Sequence, residues 1–131
     1  SEAHPGRLIP RPNWNGAGAV LRAQMQPGDA LLSTSPLAMS WETGRCGQWI
    51  REAPAAAMYM DGSRDIYCGT TLIPDAATLQ RYLAAHPQGW VVADPRQWAG
   101  LVDPAASALI ERASRRIDTG DPSVLVFRWG L

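Results

Sequence analysis

The fold is decided by the stretch Asp29-Ala-Leu-Leu-Ser-Thr-Ser-Pro-Leu-Ala-Met-Ser-Trp-Glu-Thr-Gly-Arg45. Residues 30–33 are short and mostly apolar, which is typical of a strand covered on both faces. Pro36 suits the first turn of a helix that Ser35 could cap, and Gly44 is expected to end it. The stretch therefore predicts a strand, a polar turn and a helix, which is half of an α/β unit.

The same alternation continues along the chain. Residues 90–93 and 124–127 form the clearest apolar strands, and helices are predicted to open near Pro74 and Pro104. We predict one small α/β domain over residues 16–131, with a mostly parallel, Rossmann-like sheet of three to five strands and helices on both faces. The short link at residues 119–123 favours an antiparallel strand at one edge.

Residues 1–15 are expected to form an irregular arm or linker, because their three prolines disfavour regular structure. A helix is predicted over residues 16–25. The chain starts at Ser1 rather than at Met, which favours a processed chain or part of a longer protein. No apolar run approaches the length of a membrane span.

Composition narrows the possible partners and cofactors. The chain has 12 basic and 12 acidic residues and no lysine, so it lacks the basic excess typical of nucleic-acid binding. Gly16-Ala-Gly18 lacks the third glycine of a dinucleotide fingerprint and does not follow a strand. We therefore expect no nucleic-acid partner, no cofactor and no metal, and no sequence motif identifies a catalytic residue.

The two cysteines, Cys46 and Cys68, leave two alternatives open. They lie outside any Cys-x-x-Cys pair and have no histidine at metal-ligand spacing. They could be two separate thiols packed as small apolar groups. They could also form one disulfide, which would require an oxidising compartment.

Polar residues at strand ends are the first candidates for ligand binding. Ser33, Thr34 and Ser35 follow the first strand, and Asp94 follows the strand at 90–93. Ligands in α/β sheets bind at this edge, where hydroxyls and a helix N-terminus can hold a polar or anionic group. The alternative role of these side chains is helix capping.

Further candidates carry weaker signals. Asp61 and Asp65 lie in one turn, which favours solvated carboxylates over a calcium loop. Ser33, His86 and Asp94 could form a hydrolytic triad, although no local motif supports it. A sugar could stack on exposed tryptophans, and Trp41, Trp49 and Trp98 lie near predicted helix ends or loops.

Several segments, taken in order, resemble one family. They are residues 21–36, 41–45 (Trp-Glu-Thr-Gly-Arg), 65–69 (Asp-Ile-Tyr-Cys-Gly), 89–98 and 124–129. The chain resembles the soluble C-terminal extracytoplasmic domain of GT-C-type, protein-mannosyltransferase-like membrane glycosyltransferases. These segments also make Arg45 and Asp65 ligand-binding candidates. The family pattern favours a small hydroxyl residue at position 68, so a Cys46–Cys68 bridge would be particular to this chain.

The resemblance implies a function and a location. Such enzymes take sugar from a polyprenyl phosphate, and their catalytic acid lies in a loop between membrane helices. This domain alone would then be inactive, and it would help bind a glycan or lipid-linked sugar acceptor or dock on the membrane portion of the same polypeptide. It would lie at the periplasmic or extracellular face of the cytoplasmic membrane. The alternatives are a free-standing periplasmic or secreted binding module and, less favoured, a small hydrolase.

Overall fold

The computed structural model describes residues 11–130 of the protein, and strands alternate with helices along the chain. The helices are α1 (Trp14–Gln24), α2 (Pro36–Thr43), α3 (Ala53–Ala56), α4 (Ala76–Ala85), α5 (Pro95–Gly100) and α6 (Pro104–Ala113). The strands are β1 (Ala30–Ser33), β2 (Gln48–Ile50), β3 (Met60–Asp61), β4 (Arg64–Asp65), β5 (Leu72–Ile73), β6 (Gly89–Ala93), β7 (Arg115–Arg116) and β8 (Leu125–Trp129).

The main sheet has six strands in the order β5-β2-β1-β6-β8-β7. The first four strands of this order are parallel, β8 is antiparallel to β6, and β7 is antiparallel to β8. This confirms a mostly parallel α/β sheet with an antiparallel edge. The expected number of strands, three to five, was too low. The strand β5 has only two residues, and so short a strand leaves no recognisable period in the sequence.

The direction of strand addition reverses beside β1. The chain first places β2 and β5 on one side of β1, and α4 then carries it across to place β6 on the other side. The connections that follow β1 and β6 therefore diverge at the carboxyl end of the sheet. In open α/β sheets this topological switch point leaves a crevice in which ligands bind.

The predicted start and end of α2 are confirmed. The Ser35 hydroxyl accepts a hydrogen bond from the Ala38 backbone N–H at 3.4 Å, and Pro36 opens the helix. Gly44 ends it with a φ of +76°, which L-residues with a side chain rarely adopt. The opening stretch thus folds as its local chemistry dictates.

Two apolar layers, one on each face of the sheet, form the core. Successive residues of one strand serve opposite layers, so Leu31 packs with α1 and α2 whereas Leu32 packs with α4, α5 and α6. The prediction of helices on both faces is confirmed. Burial of the sheet on both faces also explains why the sequences of β1 and β6 are continuously apolar rather than alternating.

The amino-terminal boundary differs slightly from the prediction. The helix α1 begins at Trp14, and the Asn13 side chain caps it by accepting from the Asn15 N–H at 3.2 Å. Asparagine is a strong helix cap, and it starts the helix two residues before the predicted position. The rest of the predicted arm, with His4, falls largely in residues 1–10, which lie outside the described residues.

A disulfide joins Cys46 and Cys68, whose Cα atoms are 6.1 Å apart. It connects the segment before β2 to the loop between β4 and β5. The disulfide alternative is therefore confirmed, and such bonds are typical of oxidising compartments. No helix within residues 11–130 has the length and apolarity needed to cross a membrane.

Candidate functional site

A cleft of about 360 Å³ opens at the carboxyl ends of β1 and β2, beside the switch point. Aromatic rings and polar groups both contribute to its lining. The aromatic residues are Trp49, Tyr59 and Tyr67, and the polar residues that keep unused hydrogen-bonding groups are Arg51 and Gln97. This mixture is typical of sites for small, partly polar ligands.

Thr34 holds the floor of the cleft together. Its backbone N–H donates to the Val92 carbonyl at 3.2 Å, and its hydroxyl accepts from the Asp94 N–H at 3.0 Å. Its carbonyl accepts from the Trp49 indole N–H at 3.2 Å. One residue therefore ties the ends of three strands together, and the cleft rests on a rigid base.

The aromatic wall consists of three rings in sequence. The centroids of Trp49 and Tyr59 are 6.1 Å apart at an interplanar angle of 63°, and those of Tyr59 and Tyr67 are also 6.1 Å apart. Trp49 is buried, whereas Tyr67 is 59% exposed. The wall therefore runs from the core of the domain out to the solvent.

Asp65 is buried beneath this wall, and its carboxylate is fully engaged. One oxygen accepts from the N–H groups of Tyr67 and Cys68, and the other accepts from the N–H and hydroxyl of Thr70, at 2.6–2.9 Å. Burial alone would raise the pKa of Asp65, but these hydrogen bonds outweigh it and hold the pKa below its ordinary value. Asp65 therefore shapes the loop that carries Tyr67.

Three of the other predicted ligand-binding residues also lie at this end of the sheet. The Ser33 hydroxyl accepts from the Ser35 N–H at 2.8 Å, below the cleft surface. Asp94 caps α5 by accepting from the Arg96 N–H at 2.9 Å, and it lies in a shallow depression that shares Ser35 and Gln97 with the cleft. The capping roles of Ser35 and Asp94 are thus present in the structure.

Arg45 lies at the opposite end of the sheet. Its guanidinium donates to the Asp29 carbonyl at 2.7 Å and contacts the Met25 sulfur at 3.3 Å. The structure therefore separates Arg45 from the other candidates, because the chain returns along α2 from the carboxyl end to the amino end of the sheet.

The hydrolytic triad is not assembled. His86 caps the end of α4, before β6, and its Nδ1 lies 2.8 Å from the Tyr82 carbonyl. Ser33 and Asp94 lie at the other end of the sheet. The strand β6 separates them from the imidazole, so these three residues do not form a triad.

The three tryptophans proposed to stack on a sugar have different environments. Trp49 lines the cleft, and Trp41 is 82% exposed on α2. Trp98 is a core residue that stacks on Phe127 with a centroid distance of 5.5 Å, and its indole N–H donates to Glu111. Trp49 alone among them lines this cleft.

Four aromatic or polar residues of the cleft were not among the candidates from sequence: Arg51, Tyr59, Tyr67 and Gln97. Arg51 directly follows β2, so the rule that singled out Ser33 and Asp94 applies to it as well. The other three lie on a 3₁₀ turn, a loop and a helix whose positions depend on tertiary packing.

The segments that line the cleft also carry exposed apolar side chains, which are called here the apolar rim. Five large hydrophobic side chains are exposed in the part of the chain that the structure describes: Leu37, Trp41, Met58, Ile66 and Tyr67. Leu37 and Trp41 lie one turn apart on α2, and the Ile66 N–H donates to the Tyr59 carbonyl beside Met58. Leu37 and Tyr67 line the cleft itself, and Leu37 and Trp41 line a neighbouring depression. Clustered exposed apolar side chains of this kind are typical of an interaction surface.

No family model, curated protein or solved structure gives a significant match to this chain. Within residues 11–130, no group of His, Cys, Asp and Glu side chains is arranged to hold a metal ion. The interpretation of the cleft therefore depends on its own geometry and chemistry.

Proposed function

We propose that this chain is the extracytoplasmic part of a membrane glycosyltransferase that uses a polyprenyl-phosphate-linked sugar, and that its cleft binds the sugar acceptor. The observation that carries the proposal is the aromatic wall of Trp49, Tyr59 and Tyr67 beside uncommitted polar groups at the switch point. A sugar ring presents apolar C–H faces that stack on aromatic rings, and its hydroxyls require hydrogen-bond partners. Both kinds of partner are present in the cleft.

The apolar rim supports the second part of the proposal, which is docking. Trp41 and Met58, at 82% and 79% exposure, lose favourable free energy by remaining in water. Packing this rim against the membrane portion of the same polypeptide would remove it from water and orient the cleft toward the membrane. The disulfide supports an oxidising, extracytoplasmic setting.

In this proposal the domain binds the sugar acceptor and does not catalyse the transfer of the sugar. Asp65, which lines the cleft, accepts hydrogen bonds with both of its oxygens, and Asp94, in the neighbouring depression, uses one oxygen to cap α5. A general acid or base needs a carboxyl group that can exchange a proton with the substrate. The isolated domain is therefore expected to bind sugar without transferring it.

Titration of the ¹⁵N-labelled chain with a panel of methyl glycosides and short oligosaccharides tests the proposal. The indole and backbone resonances of Trp49 and the amide resonances of Tyr67 and Gln97 are expected to shift together. Tyr67→Ser is expected to weaken binding about fivefold, since one aromatic contact contributes about 1 kcal/mol. Met58→Ser is the matched control, because Met58 belongs to the rim but does not line the cleft.

Absence of binding across the panel, or equal losses in the two variants, would contradict the acceptor site. The membrane context has a separate test in the complete gene. Several apolar spans are expected upstream of the codon for Ser1. A signal peptide alone at that position would instead favour the alternative of a free-standing binding module.

A further inference from the structure

Arg51 presents a fixed cation to the cleft. Its backbone N–H donates to the Ile73 carbonyl at 3.2 Å, and its Nε donates to the Ala55 carbonyl at 3.0 Å. The guanidinium carbon lies 5.3 Å from the centroid of Trp49 and 5.7 Å from that of Tyr59. Both the backbone and the guanidinium are therefore oriented before any ligand arrives.

The remaining donors of Arg51 have no protein partner among residues 11–130. Neither Nη atom donates a hydrogen bond there, and no carboxylate oxygen lies within 4.0 Å. Arg45, which is similarly half-buried, differs because its Nη atoms contact Asp29 and Met25. A guanidinium that is partly removed from water and whose Nη donors lack a partner favours an anion, which these donors can bind through two parallel N–H bonds.

A second uncommitted group lies in the same cleft. The Gln97 Oε1 atom is buried and has no hydrogen-bond partner among the described residues. A buried amide oxygen without a donor carries a desolvation cost, and because the Gln97 side chain lines the cleft, rotation of its amide would bring this oxygen to a ligand hydroxyl. The cleft thus offers an acceptor for a hydroxyl as well as donors for an anion.

The charged groups that line the cleft also favour a negatively charged ligand. Asp65 is the one carboxylate among the lining residues that the structure describes, and both its oxygens already accept hydrogen bonds. Ser35 and Leu37 bring the first turn of α2 to the opposite wall, where the positive end of the helix dipole adds to the charge of Arg51.

We propose that the cleft binds an acidic sugar, with its carboxylate or phosphate on Arg51, one hydroxyl on Gln97 and its ring against the aromatic wall. This inference rests on the proposed function, and it specifies the chemical class of the ligand. A neutral sugar would leave the Arg51 donors unused. A bare anion would leave Gln97 and the aromatic wall unused.

Calorimetric titrations of the whole chain test this inference with four probes: methyl glucoside, glucuronate, glucose 1-phosphate and inorganic phosphate. At low ionic strength at least one acidic sugar is expected to bind about tenfold more tightly than methyl glucoside, and glucose 1-phosphate more tightly than inorganic phosphate. The comparison between glucuronate and glucose 1-phosphate distinguishes a carboxylate from a phosphate ligand.

Arg51→Gln is expected to abolish the preference for acidic sugars. Arg112→Gln is the matched control, because Arg112 is an exposed arginine of α6 that does not line the cleft. Arg51→Lys provides a second variant should the glutamine variant unfold, since lysine keeps the charge but loses the two parallel N–H donors. It is expected to retain part of the preference.

The outcomes separate this inference from the proposed function. Equal affinity for neutral and acidic sugars, or an equal effect of the Arg51 and Arg112 variants, would overturn the acidic-sugar inference and leave the acceptor site in place. Equal binding of inorganic phosphate and glucose 1-phosphate would also overturn it. Failure of all three sugars to bind would overturn the proposed function itself.

Discussion

Asp29 and Asp65 are both buried aspartates, but they lie at opposite ends of the sheet. Asp29 precedes β1 and accepts hydrogen bonds from the Gln26 N–H and from the side chains of Gln88 and Trp90. Asp65 lies under the cleft and accepts from the loop that follows β4. Each carboxylate organises the chain around it in a similar way.

The surroundings of the two aspartates differ. At the amino end, the Arg45 guanidinium donates to the Asp29 carbonyl, so this cation already has a hydrogen-bond partner within the protein. At the carboxyl end, Arg51 and Gln97 retain unused hydrogen-bonding groups, and two residues of the apolar rim, Leu37 and Tyr67, line the same cleft. This difference indicates that polar groups at the amino end serve the fold, whereas the carboxyl end keeps capacity for a ligand.

Removal of the disulfide is expected to have the largest effect on stability. The two cysteines are 22 residues apart, and closure of a loop of this size in the unfolded chain corresponds to about 3 kcal/mol. Urea unfolding of the double variant Cys46→Ser, Cys68→Ser measures this loss. Wild-type protein in reductant should match the variant, and the variant itself should not respond to reductant.

Replacement of either buried aspartate tests whether both ends serve the fold. Asp29→Asn and Asp65→Asn are each expected to lower the free energy of unfolding by about 2 kcal/mol, because the amide NH₂ group faces donors that need an acceptor. Sugar titrations of the two variants should then show which end of the sheet also contributes to binding. Asp65→Asn should also weaken binding by displacing Tyr67, whereas equal binding losses in both variants would contradict the functional difference.

Low pH is expected to destabilise the protein through the same two aspartates. Burial would raise the pKa of Asp29, but hydrogen bonds from Gln26, Gln88 and Trp90, together with the charge of Arg128, lower it, as hydrogen bonds do for Asp65. Each aspartate therefore stabilises the fold above the unfolded-state pKa of about 3.9, and this contribution is lost as pH falls below that value.

The measurement is the urea midpoint of unfolding between pH 6 and pH 3. The midpoint of the wild-type protein should fall over the acidic part of this range. The double variant Asp29→Asn, Asp65→Asn should show a smaller decrease. An identical decrease in both proteins would mean that other carboxyl groups govern acid stability.

The smallest effect on stability is expected at the rim. Trp41→Ser should change the free energy of unfolding by less than about 0.5 kcal/mol, because the side chain is 82% exposed. Thermal and urea unfolding measure this change. A loss greater than about 1 kcal/mol would show that Trp41 supports the fold rather than an interaction surface.

Local sequence signals correctly predicted the elements that depend on neighbouring residues. The strand at β1, the cap of Ser35 and the end of α2 at Gly44 follow from apolar patterning, capping and a left-handed glycine. The antiparallel edge followed from a short connection. The two-residue strand β5 was missed because its hydrogen bonds to β2, rather than its own residues, define it.

Local patterns in the sequence are enough to predict an α/β domain with helices on both faces, because periodicity and helix signals extend over a few residues. The folded structure was needed to show that the cysteines pair, that Arg45 lies away from the strand-end residues, and that Arg51 and Gln97 share one cleft. These facts depend on strand order and on packing between segments far apart in the chain. Such contacts leave no local pattern in the sequence, so the candidate site is visible only in the folded chain.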